Sequence, residues 1–549
     1  MKIALVQQNP VVGDIAGNLA GMERAIARAA EEGCDLAVFA ELSMLGYPPR
    51  DLLRKERFVA DSAAAVETLA RRCTDVAAWV GFARPSPSPR GRSLQNAAAL
   101  LADGQVRSIH AKTLLPTYDV FDETRYFEPG ERGGCIDLGG RRIGLSICED
   151  LWDAPALGRE LYGDDPIARL IADGAEVIVN MAASPYQLAK ASLREELLCR
   201  QATRSGATIV YVNQVGGNDE LIFDGGSCVV SPTGTVLARA ASFREDLLVV
   251  DLDAPTGRIE PVGDEMARLS AALKLGLRDY VRKCGFRSVV LGLSGGIDSA
   301  VVATLAADAL GPENVHALAM PSRYSSDHSL TDAAALAENL GIGYQVIPIE
   351  PMHAAFEGAL GEVLGDQGED TAAENVQARI RGTLVMASSN AGGHLALATG
   401  NKSELSCGYC TLYGDMAGGV APIGDVLKTD VYRLARQLNA EAEGERIPAG
   451  TLTKPPSAEL KPDQVDQDKL PAYELLDDIL KRYIESDDTA ERIIAEGLPS
   501  EEVRRIVRMV DSAEHKRRQA PPVFKVTTRA FGAGRRMPIA QRYVPLGDS

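Results

Sequence analysis

The chain has 549 residues, 45% apolar and 24% charged, with a formal net charge of -18. At roughly 100–250 residues per domain that length predicts two to four domains, and the composition is that of a globular protein. The acidic sign excludes a general nucleic-acid binder, which carries a basic footprint, but not an anionic ligand, because a single loop or helix N-terminus binds phosphate inside an acidic protein.

The start, MKIALVQQNP, is apolar over too few residues for a signal peptide, and no run of about 18 apolar residues follows that would span a membrane. The nine cysteines are odd in number and scattered, which predicts reduced thiols in a cytoplasm. Cys407 and Cys410 form the one CxxC, and none of the six histidines stands near it at metal-like spacing, so no zinc site is expected.

Strand-like runs alternate with helix-like segments, which predicts an α/β fold. KIALVQQ reads as a strand. NLAGMERAIARAAEEG reads as a helix with Asn18 as N-cap, Leu19, Met22 and Ile26 on one face and Gly33 as its stop. DLAVFAE reads as a buried strand ending at Glu41, GQVRSIHAK as a strand running into Lys112, and RRIGLSI as a strand running into Cys148. The helix PIARLIADGA and the strands EVIVNMAAS, ATIVYVNQ, SCVVSP and LLVVDLD follow. Domain boundaries are expected at 1–252 and 265–549, joined by a Pro-, Gly- and charge-rich linker over 253–264. The second part opens with the helix EMARLSAALKLGLRDYVRKCG and a further α/β pattern.

Glu41, Lys112 and Cys148 each sit at or just after a strand end, where α/β sheets gather their ligands. A thiol needs a base and a positive neighbour to act as a nucleophile, and the three residues supply those types. Placement alone leaves a solvated Glu41, a surface Lys112 and a buried Cys148 equally open. The surrounding segments FAELSMLGYPPRDLL, HAKTLLPTYDVFDETRYFEPG and GLSICEDLW resemble, in order, the nitrilase or carbon–nitrogen hydrolase superfamily, and within it the glutaminase branch. The resemblance covers about residues 1–250 and implies an αββα sandwich with Glu41 as general base, Lys112 positioning the transition state and Cys148 as the nucleophile that forms a thioester. It implies that the backbone N–H of Glu149 serves an oxyanion hole, and that Tyr118, Ser184 and Lys190 bind glutamine. Glu123 reads either as an auxiliary carboxylate beside the lysine or as a structural hydrogen-bond acceptor. Glu149 is expected to matter for its N–H and not its charge, unless its side chain has a hidden partner.

In VVLGLSGGIDSAVV, Val289 to Leu293 read as a strand and the helix is expected from Ser299. Between them a glycine-rich turn brings backbone N–H groups and hydroxyls to where a phosphate could sit, and Asp298 could hold Mg²⁺. It lacks the GxxxxGK[ST] spacing of a Walker loop. The SGGxDS pattern resembles the PP-loop of ATP pyrophosphatases. ENVQARIRGTLVMASSN, LATGNKSELSCGYCTLYGDMAGGVAPIGDVLKTDVYRLAR and LTKPPSAELKPDQVDQDKLPAYE further resemble NAD synthetases, which implies a doubly wound parallel sheet for this half. By that resemblance Gly292, Leu293, Ser294, Gly295, Gly296, Ile297, Asp298 and Ser299 bind ATP with Arg379, Thr399 and Lys428. Asn375, Glu404, Asp415 and Lys516 meet deamido-NAD, and Asp298 and Glu404 hold Mg²⁺. It also implies a homo-oligomer, at least a dimer. Three rival readings are weighed: an amidotransferase of the same loop class acting on another carboxylate, an NAD-binding protein that has lost catalysis, and an amidase with an idle partner domain. The nitrilase-like front half argues against the first, and the intact triad and loop against the second. ATP consumption separates the third.

Overall fold

The computed structural model describes residues 1–130, 134–254, 257–364, 371–442, 444–461 and 464–543, which fall into two compact units, Met1–Gly263 and Asp264–Ser549. In the first unit, two six-stranded sheets form, their central strands buried on both faces. One runs in the order Asp246–Asp251, Lys2–Gln7, Leu36–Val38, Ala77–Pro85, Leu94–Ala102, Gln105–Ala111; the other runs Val236–Arg239, Cys228–Val230, Thr208–Asn213, Val177–Ala182, Arg141–Ile147, Cys135–Leu138. Successive side chains of a strand point to opposite faces, and the first strand uses both. Ile3 and Leu5 join Leu145, Ile147, Val179 and Ile209 of the other sheet in one core. Ala4 and Val6 pack instead with Met22, Ile26 and Ala29 of the helix Ile15–Glu31 and Val66 and Leu69 of the helix Glu56–Ala70. The helices Pro166–Ala172 and Lys190–Ser205 pack on the second sheet through Leu170, Leu198 and Ala202. The result is an αββα sandwich.

Three local expectations change. The first helix begins at Ile15 and its N-cap is Asp14, whose carboxylate accepts the Gly17 N–H at 2.9 Å. Asn18 lies inside the helix and is buried; its amide ties down the Val11 backbone and donates to the Met44 carbonyl at 3.1 Å, behind the Glu41 segment. The strand Leu36–Val38 stops before Glu41, which sits in the turns beyond it. In the second unit the loop helix begins at Ile297, not Ser299. Of the expected linker, residues 255 and 256 lie outside the described residues, and the Arg258 carbonyl and Glu260 N–H hydrogen-bond with Arg239 of the neighbouring strand.

The second unit holds a parallel sheet in the order Gly343–Val346, Val315–Ala319, Val289–Gly292, Leu395–Leu397. The chain leaves Val289–Gly292, adds two strands on one side through the helices Ile297–Leu310 and Asp327–Leu340, and returns to add Leu395–Leu397 on the other. A crevice opens where the strand order reverses, and the loop after Gly292 lies there. A helical layer, including Tyr473–Leu480, Ala490–Ala495 and Ser500–Ser512, packs around Leu476, Ile493, Ile506 and Val510. Among the described residues no helix is long and apolar enough to cross a membrane.

Gly81, in the strand Ala77–Pro85, is where the Glu41 segment presses on the sheet. A Cβ there would lie 2.3 Å from the Leu42 nitrogen and 2.6 Å from the Ala40 carbonyl oxygen, both backbone atoms. Gly81→Ala is expected to destabilise the chain by about 1–3 kcal/mol through overpacking, read as a lower urea midpoint; a wild-type midpoint would show that the Glu41 segment yields freely.

Candidate active sites

Lys112 follows the strand Gln105–Ala111 and is buried, 1% exposed. Its Nζ donates to Glu41 Oε1 at 2.7 Å and to Glu123 Oε1 at 2.8 Å. Burial opposes its charge, but Glu123 and Glu41 outweigh burial and hold its pKa well above the ordinary lysine value. Lys112 is therefore a permanent cation. Glu41 also accepts from Asn96 Nδ2 at 2.7 Å and from the Ala183 N–H at 3.1 Å. Glu123 accepts from the Tyr47 hydroxyl at 2.8 Å. Burial pushes the Glu123 carboxyl up to about 7, with Lys112 pulling down and Glu41 pushing up. Both readings of Glu123 hold at once: it is the second carboxylate on the lysine, and it is fixed by a structural bond.

Cys148 opens a short turn directly after the strand Arg141–Ile147, at φ 45°. That left-handed backbone is rare for a residue with a side chain, and such outliers persist where the surroundings over-determine them. Asp150 supplies part of that hold: its carboxylate accepts the N–H groups of Ile147, Thr113 and Leu114 at 3.0, 3.0 and 2.7 Å. It thereby joins the Cys148 turn to the segment after Lys112. Burial pushes the Cys148 thiol well above its ordinary pKa; Glu41 adds to the rise, and Lys112 and the Ala183 N–H oppose it. Cys148 thus rests as a neutral thiol under the influence of a carboxylate and an ammonium.

Glu149 has hidden partners, so the condition on which its side chain was expected to be dispensable is not met. Its carboxylate accepts the Tyr118 hydroxyl at 2.9 Å and the Tyr162 hydroxyl at 2.9 Å, and burial raises its pKa against Lys112 and the two tyrosines. Lys190 Nζ lies 5.5 Å from the centre of the Trp152 ring and contributes to the field on Glu149. Ser184, which follows Ala183, is buried, and its N–H donates to Asn213 Oδ1 at 2.9 Å. Tyr162 was not legible in the sequence, because GRELYGDD carries no pattern that aims one tyrosine at a residue in a different turn.

In the second unit a cavity of about 320 Å³ is lined by Gly292 to Ser299 together with Thr399, Glu404, Asp415 and Lys428. Gly295 has φ 79°, and a Cβ on it would lie 2.2 Å from the Ser329 carbonyl oxygen, so both conformation and space require glycine. Ser299 Oγ bonds the Ser294 N–H at 3.3 Å and the Gly296 carbonyl at 3.0 Å, and Ser294 Oγ accepts the Gly296 N–H at 3.2 Å. The loop is closed by its own hydroxyls, at the N-terminus of the helix Ile297–Leu310. Lys428, buried, donates to Asp298 and, at 3.3 Å, to Glu404 Oε1; Asn401 Nδ2 also donates to Asp298, at 2.9 Å. Burial pushes Glu404 up to about 8, with Lys428 opposing.

The remaining expected residues divide. Asp415 lines the cavity and accepts the Thr411 N–H at 2.8 Å, with burial pushing it up to about 6. Asn375 accepts the Thr411 hydroxyl at 2.8 Å, and Lys516 donates to the carbonyls of Gly408 and Cys410 at 2.7 and 2.8 Å; neither lines the cavity. Nor does Arg379, which bonds the Leu412 carbonyl at 3.3 Å. Its neighbour Arg381 does line it, two positions on and hence across the helix, with burial pulling its pKa down to about 10. Lys454, Glu459 and Asp466 also line the cavity. Cys407 and Cys410 are free thiols packed against the helical core. Among the described residues no group of three or more His, Cys, Asp or Glu side chains is arranged to hold a metal ion.

Residues 2–259 match the family model of the carbon–nitrogen hydrolases and residues 269–520 that of NAD synthase. The chain is 47% identical over 559 aligned residues to the glutamine-dependent NAD(+) synthetase of Synechocystis sp., covering all of both chains. It is 43% identical to the one of Aquifex aeolicus, covering 99% of this chain and 100% of that one. The glutamine-dependent NAD+ synthetase of Acinetobacter baumannii, solved with adenosine diphosphate, superposes with a TM-score of 0.78 at 38% identity over 98% of each chain. The counterpart from Cytophaga hutchinsonii shares the fold, with a TM-score of 0.82 at 22% identity over 98% of this chain and 97% of that one. A glutaminase-type front half, a phosphate-loop rear half and full-length identity to both together place this chain in the family of glutamine-dependent NAD(+) synthetases.

Proposed function

We propose that residues 1–252 hydrolyse glutamine and that residues 265–549 use the ammonia, with ATP, to amidate deamido-NAD. The observation that carries the first half is the buried ammonium of Lys112 between Glu41 and Glu123, beside a thiol in a strained turn. Glu41 takes the Cys148 proton as sulfur adds to the side-chain amide of glutamine. Lys112 and the Glu149 N–H stabilise the oxyanion. Collapse expels ammonia, Glu41 returning the proton to nitrogen, and leaves a thioester. Water, deprotonated by Glu41, then releases glutamate and restores the thiol. The neutral resting thiol supports this order, since base and attack must be concerted when the free thiolate is disfavoured. Tyr118, Ser184 and Lys190 bind the glutamine.

In the second half the loop Gly292 to Ser299 cradles ATP with Thr399 and with Arg381 in place of Arg379, and Lys428 pairs with its phosphates. Asn375, Asp415, Glu404 and Lys516 bind deamido-NAD. The nicotinate carboxylate attacks the α-phosphorus, pyrophosphate leaves, and ammonia displaces AMP from the acyl-adenylate to give NAD. Asp298 and Glu404 offer an all-oxygen donor set that suits a hard cation, and they would hold Mg²⁺. When bound, Mg²⁺ neutralises phosphate charge. Lys428 already bonds both carboxylates, and its ammonium is poised to exchange a carboxylate partner for a phosphate.

Three measurements test the reading. Cys148→Ala is expected to abolish glutamine-supported NAD formation while ammonium still supports it; loss of both would overturn the nucleophile's role. Glu149→Gln replaces a charged acceptor shared by two tyrosines, worth about 1.5–3 kcal/mol. The expected result is a loss of at least about tenfold in glutaminase kcat/KM with ammonium-supported synthesis retained, and wild-type turnover would remove the charge from the mechanism. The third concerns pH. Glu123 carries its proton below about 7. Once protonated it releases Lys112 to Glu41 alone, and the base weakens. Glutaminase kcat/KM should therefore fall as pH drops through about 7, and Glu123→Gln should give a low, flat profile across the neutral range. An unchanged acid limb in that variant would assign the limb to another group.

A further inference from the structure

The helix Lys428–Ala440 has leucine at its N-cap, and Leu427 makes no side-chain cap. The first donors of a helix need partners, and here two other segments supply them. The Lys428 N–H donates to Ser403 Oγ at 2.9 Å, and the Thr429 N–H donates to Asp477 Oδ2 at 2.8 Å. Ser403 Oγ itself donates to Asp477 Oδ1 at 2.5 Å, and Thr429 Oγ1 to Asp477 Oδ2 at 2.8 Å. Ser403 and Asp477 are both buried. Asp477 therefore accepts from both segments, and Ser403 joins them. Ser403 stands next to Glu404 on the helix Lys402–Cys407, while Asp477 comes from the helix Tyr473–Leu480.

We propose that Ser403 and Asp477 are positioning residues: their shared hydrogen bonds cap the Lys428 helix from outside and thereby fix the spacing between Lys428 and Glu404. A carboxylate at a helix N-terminus satisfies its donors and meets the positive end of the dipole. The inference rests on the proposed roles of Lys428 and Glu404. It adds that neither can move without the other, because the first N–H of one residue's helix is bonded to the side chain preceding the other. Ser406 is the contrast on the same helix: it is equally buried, and its hydroxyl donates only to the Lys402 carbonyl of its own helix, at 2.6 Å.

The test uses the full chain, with ammonium as nitrogen donor and a non-hydrolysable ATP analogue for equilibrium binding. Ser403→Ala and Asp477→Asn should each lower kcat by about tenfold, as misplacement of a reacting group does, and Ser406→Ala by less than about twofold at a comparable thermal midpoint. Ser403→Ala should also weaken the analogue in the wild-type background and change its affinity by less than about twofold in a Lys428→Met background, since coupled residues fail to add. Equal losses for Ser403→Ala and Ser406→Ala, or a full Ser403→Ala effect on binding in the Lys428→Met chain, would overturn the positioning role. If Ser403→Ala does not fold, Asp477→Asn decides by the same two comparisons. Retention of synthesis by Lys428→Met alone would refute the underlying assignment of Lys428 instead.

Discussion

An ammonium taken out of water costs several kcal/mol unless charge and hydrogen bonds compensate it, and among the described residues three buried lysines meet that constraint in one way. Lys112 lies between Glu41 and Glu123, Lys428 between Asp298 and Glu404, and Lys402 between Asp425 and Glu485. One lysine with two carboxylates leaves a net negative centre, so each set also draws in neutral donors. Asn96, Tyr47 and the Ala183 N–H serve the first, Asn401 the second, and Thr527 with its own and the Val526 N–H the third. The sheets and turns that bring these residues together are the condition for burying the lysines at all.

The third set shows what separates a structural from a chemical buried lysine. Lys402 Nζ has four partners, Asp425 at 3.0 Å, Glu485 at 2.8 Å, Thr527 Oγ1 at 2.6 Å and the Arg529 carbonyl at 3.0 Å. It fastens the segment around Val526 and does not line the cavity beside the Gly292 to Ser299 loop. Lys112 and Lys428 differ in what their partners meet: the Glu41 charge raises the pKa of the Cys148 thiol, and Asp298 and Glu404 line the cavity beside the Gly292 to Ser299 loop. The same ionic unit is inert or useful according to what its carboxylates touch.

That distinction also marks what the sequence made legible. Glu41, Lys112, Cys148 and the loop Ser294 to Ser299 are local signals, because each follows a strand, and strand ends in α/β folds collect ligands. Alternation within KIALVQQ foretold a strand, and the two cores it feeds follow from its period. The misplaced N-cap arose because Asn18 and Asp14 are both good caps by type, and only the tertiary contact of Asn18 with Met44 decides between them. Tyr162 on Glu149, Arg381 in place of Arg379 in the cavity, and Asp477 on Ser403 are contacts across 13 residues, across a helix, and across 74 residues. No periodicity reports such pairings, since they depend on where whole elements come to lie.

The two candidate sites also solve the backbone problem in opposite ways. Both place a left-handed residue just after a parallel strand, Cys148 at φ 45° and Gly295 at φ 79°. At Gly295 a Cβ would strike the Ser329 carbonyl, and glycine removes both the clash and the conformational cost. Cys148 carries a side chain, so the strain stays and the surroundings must hold it. Asp150 does so by accepting three N–H groups around the turn, at a burial that pushes its own carboxyl up to about 7. Strain at the thiol and the buried Asp150 carboxyl are thus one arrangement: the carboxyl that fixes the turn also joins it to the residues following Lys112, so the Cys148 turn and the Lys112 segment are set by the same anchor.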